Sequence, residues 1–121
     1  MLISIAIGGA LGAMLRYGCV NLTTAFLGRD FPYGTLLVNI LGSFFIGFLS
    51  ILLVERLVVS NELKTAILTG FLGAFTTFST FSLDALSLIN AGEIFKSLAY
   101  ILLSVCSCII AVYLGILLAR Q

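Results

Sequence analysis

Apolar residues run along this chain in four long blocks separated by short polar clusters. The first block reaches from about Leu2 to Leu27, interrupted by a single charge at Arg16, and ends in Gly28-Arg29-Asp30 before the only proline, Pro32. The second runs from about Gly34 to Val54 and stops at Glu55-Arg56, after which Ser60-Asn61-Glu62-Leu63-Lys64 reads as a loop. The third runs from about Thr65 to Ile89 and stops at Asn90-Ala91-Gly92-Glu93. The fourth runs from about Phe95 to Ala119 and ends at Arg120-Gln121. A helix needs about 20 predominantly apolar residues to cross the hydrocarbon core of a bilayer, so each block predicts a membrane-spanning α-helix. The loops are short, which makes successive helices antiparallel neighbours. An even number of spans puts both termini on one side. The first block has no basic leader and three more spans follow it, so it predicts a retained helix rather than a signal peptide. Residues 1–121 thus read as a single four-helix transmembrane domain.

Composition agrees. The chain is 61% hydrophobic and only 9% charged, against about 25% charged in an ordinary soluble domain. A small globule leaves a large share of its surface in water and has no interior for so much apolar side chain. A soluble domain, a disordered chain, a collagen-like repeat and a secreted disulfide scaffold are all excluded. The net charge of +1 is too small for a nucleic-acid footprint. Histidine is absent, which removes the commonest general base and metal ligand, and no nucleophile–base pair is visible, so the sequence predicts no enzyme. Cys19, Cys106 and Cys108 lie in apolar runs and read as small apolar side chains.

The charges are informative about orientation because they are balanced. The side with the termini and the middle loop carries Arg56, Lys64 and Arg120; the other carries Arg29 and Lys96, with Arg16 leaning that way. The positive-inside rule acts on an asymmetry in such charges, and here there is almost none. Either one loop is misplaced in this reading, or the protein inserts both ways up.

In lipid, helices associate by close packing and polar contacts rather than by the hydrophobic effect. Small residues recur at helical spacing: Gly8 with Gly12, Gly9 with Ala13, Ser43 with Gly47, and the stripe Ser104, Cys108, Ala111, Gly115. These predict helix–helix seams. Four short helices are too few to enclose a pore with material to spare, so an oligomer is expected.

The third block holds the segment richest in polar and aromatic residues together, from Thr69 to Ser82. Its glycines, Gly70 and Gly73, and its hydroxyl residues, Thr76, Thr77, Ser79 and Thr80, make poor helix interior. Thr65 to Thr76 covers about 15 Å of helix, half the hydrocarbon thickness, so a break there falls at the midplane. Non-helical backbone at that depth is tolerated only where protein buries it or a cavity lines it, and discontinuous helices are a recurrent ion-site device. Freed carbonyls would suit a cation, and freed amides and hydroxyls an anion. The alternative is an intact helix whose Thr and Ser side chains bond back to their own carbonyls.

Phe78 and Phe81 are three residues apart and share a helical face. An aromatic ring has a positive edge, and edges turned into a narrow passage would attract an anion; spacing alone favours lipid-facing or core rings. Arg16 lies about 22 Å along a helix from Met1 and is near enough the far end of its span to snorkel there. A cation at a mouth gathers anions. Asn39 and Ser43 lie one turn apart on the second span, and Tyr100 and Ser104 one turn apart on the fourth. Each would serve as an interhelical hydrogen bond; together they outline a ladder of donors suited to a small, strongly hydrated anion.

At these residues the sequence resembles the Fluc/CrcB fluoride channels along its whole length. Gly-Gly-Ala-Leu-Gly-Ala-Met-Leu-Arg16-Tyr17 is similar to the family's glycine-rich first helix. The run from Gly34 to Phe44, with Asn39 and Ser43, is similar to its second-helix signature. The run from Gly70 to Ser82 matches its most specific stretch almost throughout. The resemblance implies an all-α membrane protein whose third helix is broken at the midplane, working as an antiparallel homodimer of dual topology with two pores. It implies a structural sodium ion on the dimer axis, held by the backbone carbonyls of Gly73 and Thr76 of both subunits. It implies that Phe78 and Phe81 line the pore, that Asn39 hydrogen-bonds in the pathway, that Ser79, Thr80, Tyr100 and Ser104 line a polar track, and that Arg16 sits near a vestibule. Cys108 stands where relatives would have a hydroxyl. The implied role is passive export of fluoride across the cytoplasmic membrane of a microbe, with membrane lipid and a second copy of the chain as partners.

Two other readings compete. A small dual-topology drug/proton antiporter has similar length and span count but needs a carboxylate within the membrane; Asp30, Glu55, Glu62 and Glu93 lie in loops or at span ends, and Asp84 is late in the third span. A non-transporting membrane subunit would explain the packing stripes but not a midplane break.

Overall fold

The computed structural model describes residues 1–121 and is helical, with no strands. Four helices are long and apolar enough to cross a membrane: Leu2–Leu27, Tyr33–Arg56, Asn61–Asn90 and Ile94–Arg120. The hydrophobic blocks place the first of these to the residue and the second and fourth to within two. The third starts earlier than its apolar block because Ser60 caps it. The Ser60 Oγ accepts from the Leu63 N–H at 3.3 Å, and Glu62 stands in the first turn, where the helix dipole favours a carboxylate. Glu62 also meets the Met1 ammonium at 3.3 Å, tying the start of the first span to the middle loop. Gly28 and Gly92, with φ of 83° and 81°, turn the chain after the first and third spans in a region that L side chains rarely enter.

The helices meet along two main seams, second against fourth and first against the N-terminal part of the third. Glycines set both. A Cβ on Gly47 would strike the Val112 carbonyl, and one on Gly115 the Phe44 carbonyl. On the other seam, Gly8 and Gly12 lie against the carbonyls of Ala66 and Phe71, and a Cβ on Gly70 would come to 2.8 Å from the Ile5 carbonyl oxygen. A backbone carbonyl cannot swing aside as a side chain can. Replacing Gly115 with alanine is therefore expected to force the second and fourth helices apart, at a cost of about 1–3 kcal/mol, read as a lower unfolding midpoint of the purified protein in detergent. Gly18→Ala is the control: its Cβ would meet nothing within 4 Å, and alanine is the better helix former. Equal midpoints for the two variants would mean that the seam is looser than drawn.

Only 21 of 121 residues are buried. Most large apolar side chains, among them Leu2, Ile3, Met14, Phe26 and Phe95, point outward, as they must where lipid tails are the solvent.

Two stretches depart from α geometry. Leu52–Arg56 and Ala66–Leu72 are wound as π-helix, with bonds such as Leu57 N–H to the Leu52 carbonyl at 2.9 Å. Helical geometry then stops after Phe75. Thr76 (φ −84°, ψ 160°) and Thr77 (φ −154°, ψ 115°) are extended, and a helix resumes over Phe78–Asn90.

Candidate functional site

The two extended residues, Thr76 and Thr77, organise the site. In a continuous helix the Thr77 N–H would reach the Gly73 carbonyl; here it donates to Asn39 Oδ1 at 2.8 Å, and Asn39 Nδ2 donates to the Thr77 carbonyl at 3.0 Å. The amide of Asn39 thus pairs with both polar groups of one residue as a strand neighbour would. It satisfies backbone that helix geometry has released, which buried backbone requires. Thr77 then caps the helix that follows: its Oγ1 accepts from the Thr80 N–H at 3.2 Å and donates to Thr80 Oγ1 at 3.0 Å, with Ser79 Oγ at 3.3 Å. Thr76 instead turns its hydroxyl back to the Leu72 carbonyl.

Arg16 reaches this point from the first span, where its Nη1 donates to the Thr76 carbonyl at 3.3 Å. The snorkelling expected from sequence is replaced by a hydrogen bond at the helix break, because an unused carbonyl there offers the guanidinium a partner inside the protein.

Beside the break lies a cavity of about 230 Å³. Asn39 and Ser43 of the second span, Thr76, Thr77, Phe78 and Phe81 of the third, and Ser104, Val105 and Cys108 of the fourth line it. Six of the site residues expected from sequence meet here: Asn39, Ser43, Thr76, Phe78, Phe81 and Ser104. The rings of Phe78 and Phe81 are neighbours, with centroids 5.3 Å apart, but their settings differ: Phe78 is 77% exposed and Phe81 only 8%. Ser104, 5% exposed, has the one buried side-chain polar atom without a hydrogen-bond partner. An orphaned hydroxyl in a cavity wall is a donor held ready for a guest.

Tyr100, Ser79, Thr80, Arg16 and Gly73 do not line this cavity. Ser79 and Thr80 are exposed and belong to the hydroxyl cluster around Thr77. Tyr100 is fully buried behind Phe81, ring centroids 5.3 Å apart, and its hydroxyl donates to Asp84 Oδ2 at 3.2 Å. On its other side it meets Phe31 edge-on at 5.4 Å. Phe31 and Asp84 line a second, polar cavity of about 430 Å³, together with Asn21, Thr24, Arg29, Thr35 and Ser87, where the first loop meets the end of the third span. Phe31, Tyr100 and Phe81 therefore form an aromatic partition between an outer polar cavity and the inner one.

Sequence reasoning missed Thr77 as the partner of Asn39, Asp84 as the acceptor of Tyr100, and Phe31. Asp84 had a signal, since it follows Phe81 by three and so shares its face. Phe31 had none, because its place comes from a loop closing over the fourth span.

No group of three His, Cys, Asp or Glu side chains converges anywhere in the molecule. Backbone oxygens at the break are candidate cation ligands. The Gly73 carbonyl loses its helical partner to the Asn39 bond, and the Thr76 carbonyl has only Arg16. Such hard carbonyl donors suit an alkali cation. Gly73 is exposed at the protein surface, which leaves it open to a neighbouring molecule.

The family model described as CrcB-like protein, Camphor Resistance (CrcB), matches residues 3–116. A relative in Methylococcus capsulatus named Fluoride-specific ion channel FluC is 49% identical over 99% of this chain, which spans 53% of that protein's length. Proteins of the same name in Magnetococcus marinus and Hahella chejuensis are 51% and 50% identical, over 96% and 98% of this chain and 94% of each of theirs. Matched from near its start to near its end and carrying four apolar helices, the chain belongs to the CrcB family of multi-pass membrane proteins.

Proposed function

We propose that the chain is a fluoride-selective channel, passively exporting fluoride across the cytoplasmic membrane of a microbe and lowering its level inside. It works as an antiparallel, dual-topology homodimer with two pores and a central structural sodium ion. The observation that carries the reading is the inner cavity beside the extended Thr76-Thr77, with the unpartnered Ser104 hydroxyl and the Phe78–Phe81 pair in its wall. The names of the relatives support the choice of ion.

Removing a small anion from water is the main barrier. The idealised cost for a carboxylate-sized ion is of order 20 kcal/mol, and a smaller ion costs more. The chain's own groups replace the hydration shell in steps. The outer cavity offers Arg29, Asn21 and Thr24 at the loop end. The inner cavity offers the hydroxyls of Ser43 and Ser104 and the free N–H of the Asn39 amide. The rings of Phe78 and Phe81 present positive edges without a fixed charge that would hold the ion too long. No carboxylate lines the inner cavity. Asp84, behind the aromatic partition, is engaged by the Tyr100 hydroxyl.

The carbonyls of Gly73 and Thr76 would hold the sodium ion, shared between two copies; when bound it would neutralise their dipoles and fix the copies together. The exposure of Gly73 and its unspent carbonyl support a partner on this face. Balanced loop charge supports insertion both ways up.

Efflux from liposomes, followed with a fluoride electrode, tests the reading. The purified protein is expected to release fluoride far faster than protein-free liposomes, and Ser104→Ala is expected to slow it. The same substitution removes a buried hydroxyl that has no partner, so the unfolding midpoint should hold or rise, by up to about 1 kcal/mol in stability. Loss of stability with intact efflux would place Ser104 in the packing rather than the pathway.

A further inference from the structure

The inner cavity contains one reactive group that neither the donor ladder nor the helix break uses, the thiol of Cys108. It is a free thiol, half-buried, one turn beyond Ser104 on the same face of the fourth span. Of the other two cysteines, Cys106 faces outward and Cys19 lies on the first span, and neither lines the cavity. We infer that Cys108 is a modification site for small neutral sulfur electrophiles, and that capping its thiol closes the inner cavity. The unpartnered Ser104 hydroxyl in the same wall is independent evidence that the space takes a polar guest. The volume of about 230 Å³ admits a reagent of a few heavy atoms, and the exposed Phe78 sets its mouth at the protein surface.

With methyl methanethiosulfonate the chemistry balances as follows. The Cys108 thiolate attacks the sulfenyl sulfur; a new S–S bond forms and the bond to the sulfonyl sulfur breaks. Methanesulfinate leaves with the electron pair, and the thiol proton goes to water. A methylthio cap then stands where a weak S–H donor stood, in the cavity that Ser104, Phe78 and Phe81 also line. Exchange with an added dithiol removes it.

Closure rests on the channel reading above; labelling does not. The protein in liposomes is treated with methyl methanethiosulfonate. Peptide mass spectrometry locates the label, and fluoride efflux is measured before treatment, after it, and after dithiothreitol. The expected result is a methylthio group on Cys108, efflux reduced to near the protein-free level, and recovery with dithiothreitol. The Cys19→Ser/Cys106→Ser protein should respond as the parent does. The efflux of Cys108→Ser, whatever its level, should be indifferent to the reagent. Label on Cys106 with none on Cys108 would overturn the site, and full label on Cys108 with unchanged efflux would overturn the closure. Absence of fluoride efflux from the untreated protein would sink the channel reading, and the mass spectra would still decide whether Cys108 is the modified residue.

Discussion

Phe78→Ile is expected to cut fluoride efflux about tenfold or more, corresponding to the loss of roughly 1.4 kcal/mol of stabilisation at the narrowest point of passage, while leaving the unfolding midpoint unchanged. Two features make this substitution informative. The ring is 77% exposed and fills no core, so an aliphatic replacement leaves no cavity. It also forms part of the inner cavity's wall, 5.3 Å from the ring of Phe81. What isoleucine lacks is the positive ring edge. Phe81→Ile should slow efflux as well, but that ring is packed against Tyr100, so the variant should also be destabilised by about 1–3 kcal/mol. Efflux and unfolding measured together separate the cases. Wild-type rates in both variants would remove the phenylalanines from the pathway.

Asn39→Asp is expected to abolish efflux and lower stability together. The native amide gives one hydrogen bond to the Thr77 carbonyl and takes one from the Thr77 N–H. A carboxylate keeps the second and loses the first, leaving its oxygen facing a carbonyl oxygen. Leaving a buried acceptor unpaired costs about 1–3 kcal/mol, and a negative charge within a membrane span adds to that and repels the anion. Efflux at the level of protein-free liposomes and a lowered unfolding midpoint are the measurements. Wild-type conduction would show that the pathway does not pass Asn39.

Much of the architecture was legible because a bilayer reduces the problem to length and polarity. The first span was placed to the residue, and of the stripe Ser104, Cys108, Ala111, Gly115 on the fourth all but the half-buried Cys108 are buried. The third span's start was misplaced by four residues because Ser60 and Glu62 begin a helix in polar residues, which an apolar block cannot reveal. The π-wound Ala66–Leu72 was not read from the sequence; it packs against the first span, where Gly70 leaves no room for a Cβ beside Ile5, Gly8 and Gly9. Among the candidate residues, spacing placed Asn39 with Ser43 and Phe78 with Phe81 on shared helical faces, and each pair lines the inner cavity. Partners on different helices were not, as with Asn39 and Thr77 or Tyr100 and Asp84. Spacing reports which residues share a surface, and only the docked helices decide what that surface meets. Arg16 shows the same limit, its side chain drawn to the Thr76 carbonyl rather than outward.

The mutual grip of Asn39 and Thr77 means that the interruption in the third helix is not a property of the third helix alone. Its local sequence loosens the winding, but a side chain from a neighbour keeps it open. Cut loose as a lone peptide in a micelle, the segment from 61 to 90 would lose Asn39 and Arg16 and keep only the Thr77 cap on Thr80 to hold the two threonines out of the coil, so a straight rod would compete with the gap. A graft of this gap into another scaffold must carry the second helix with it.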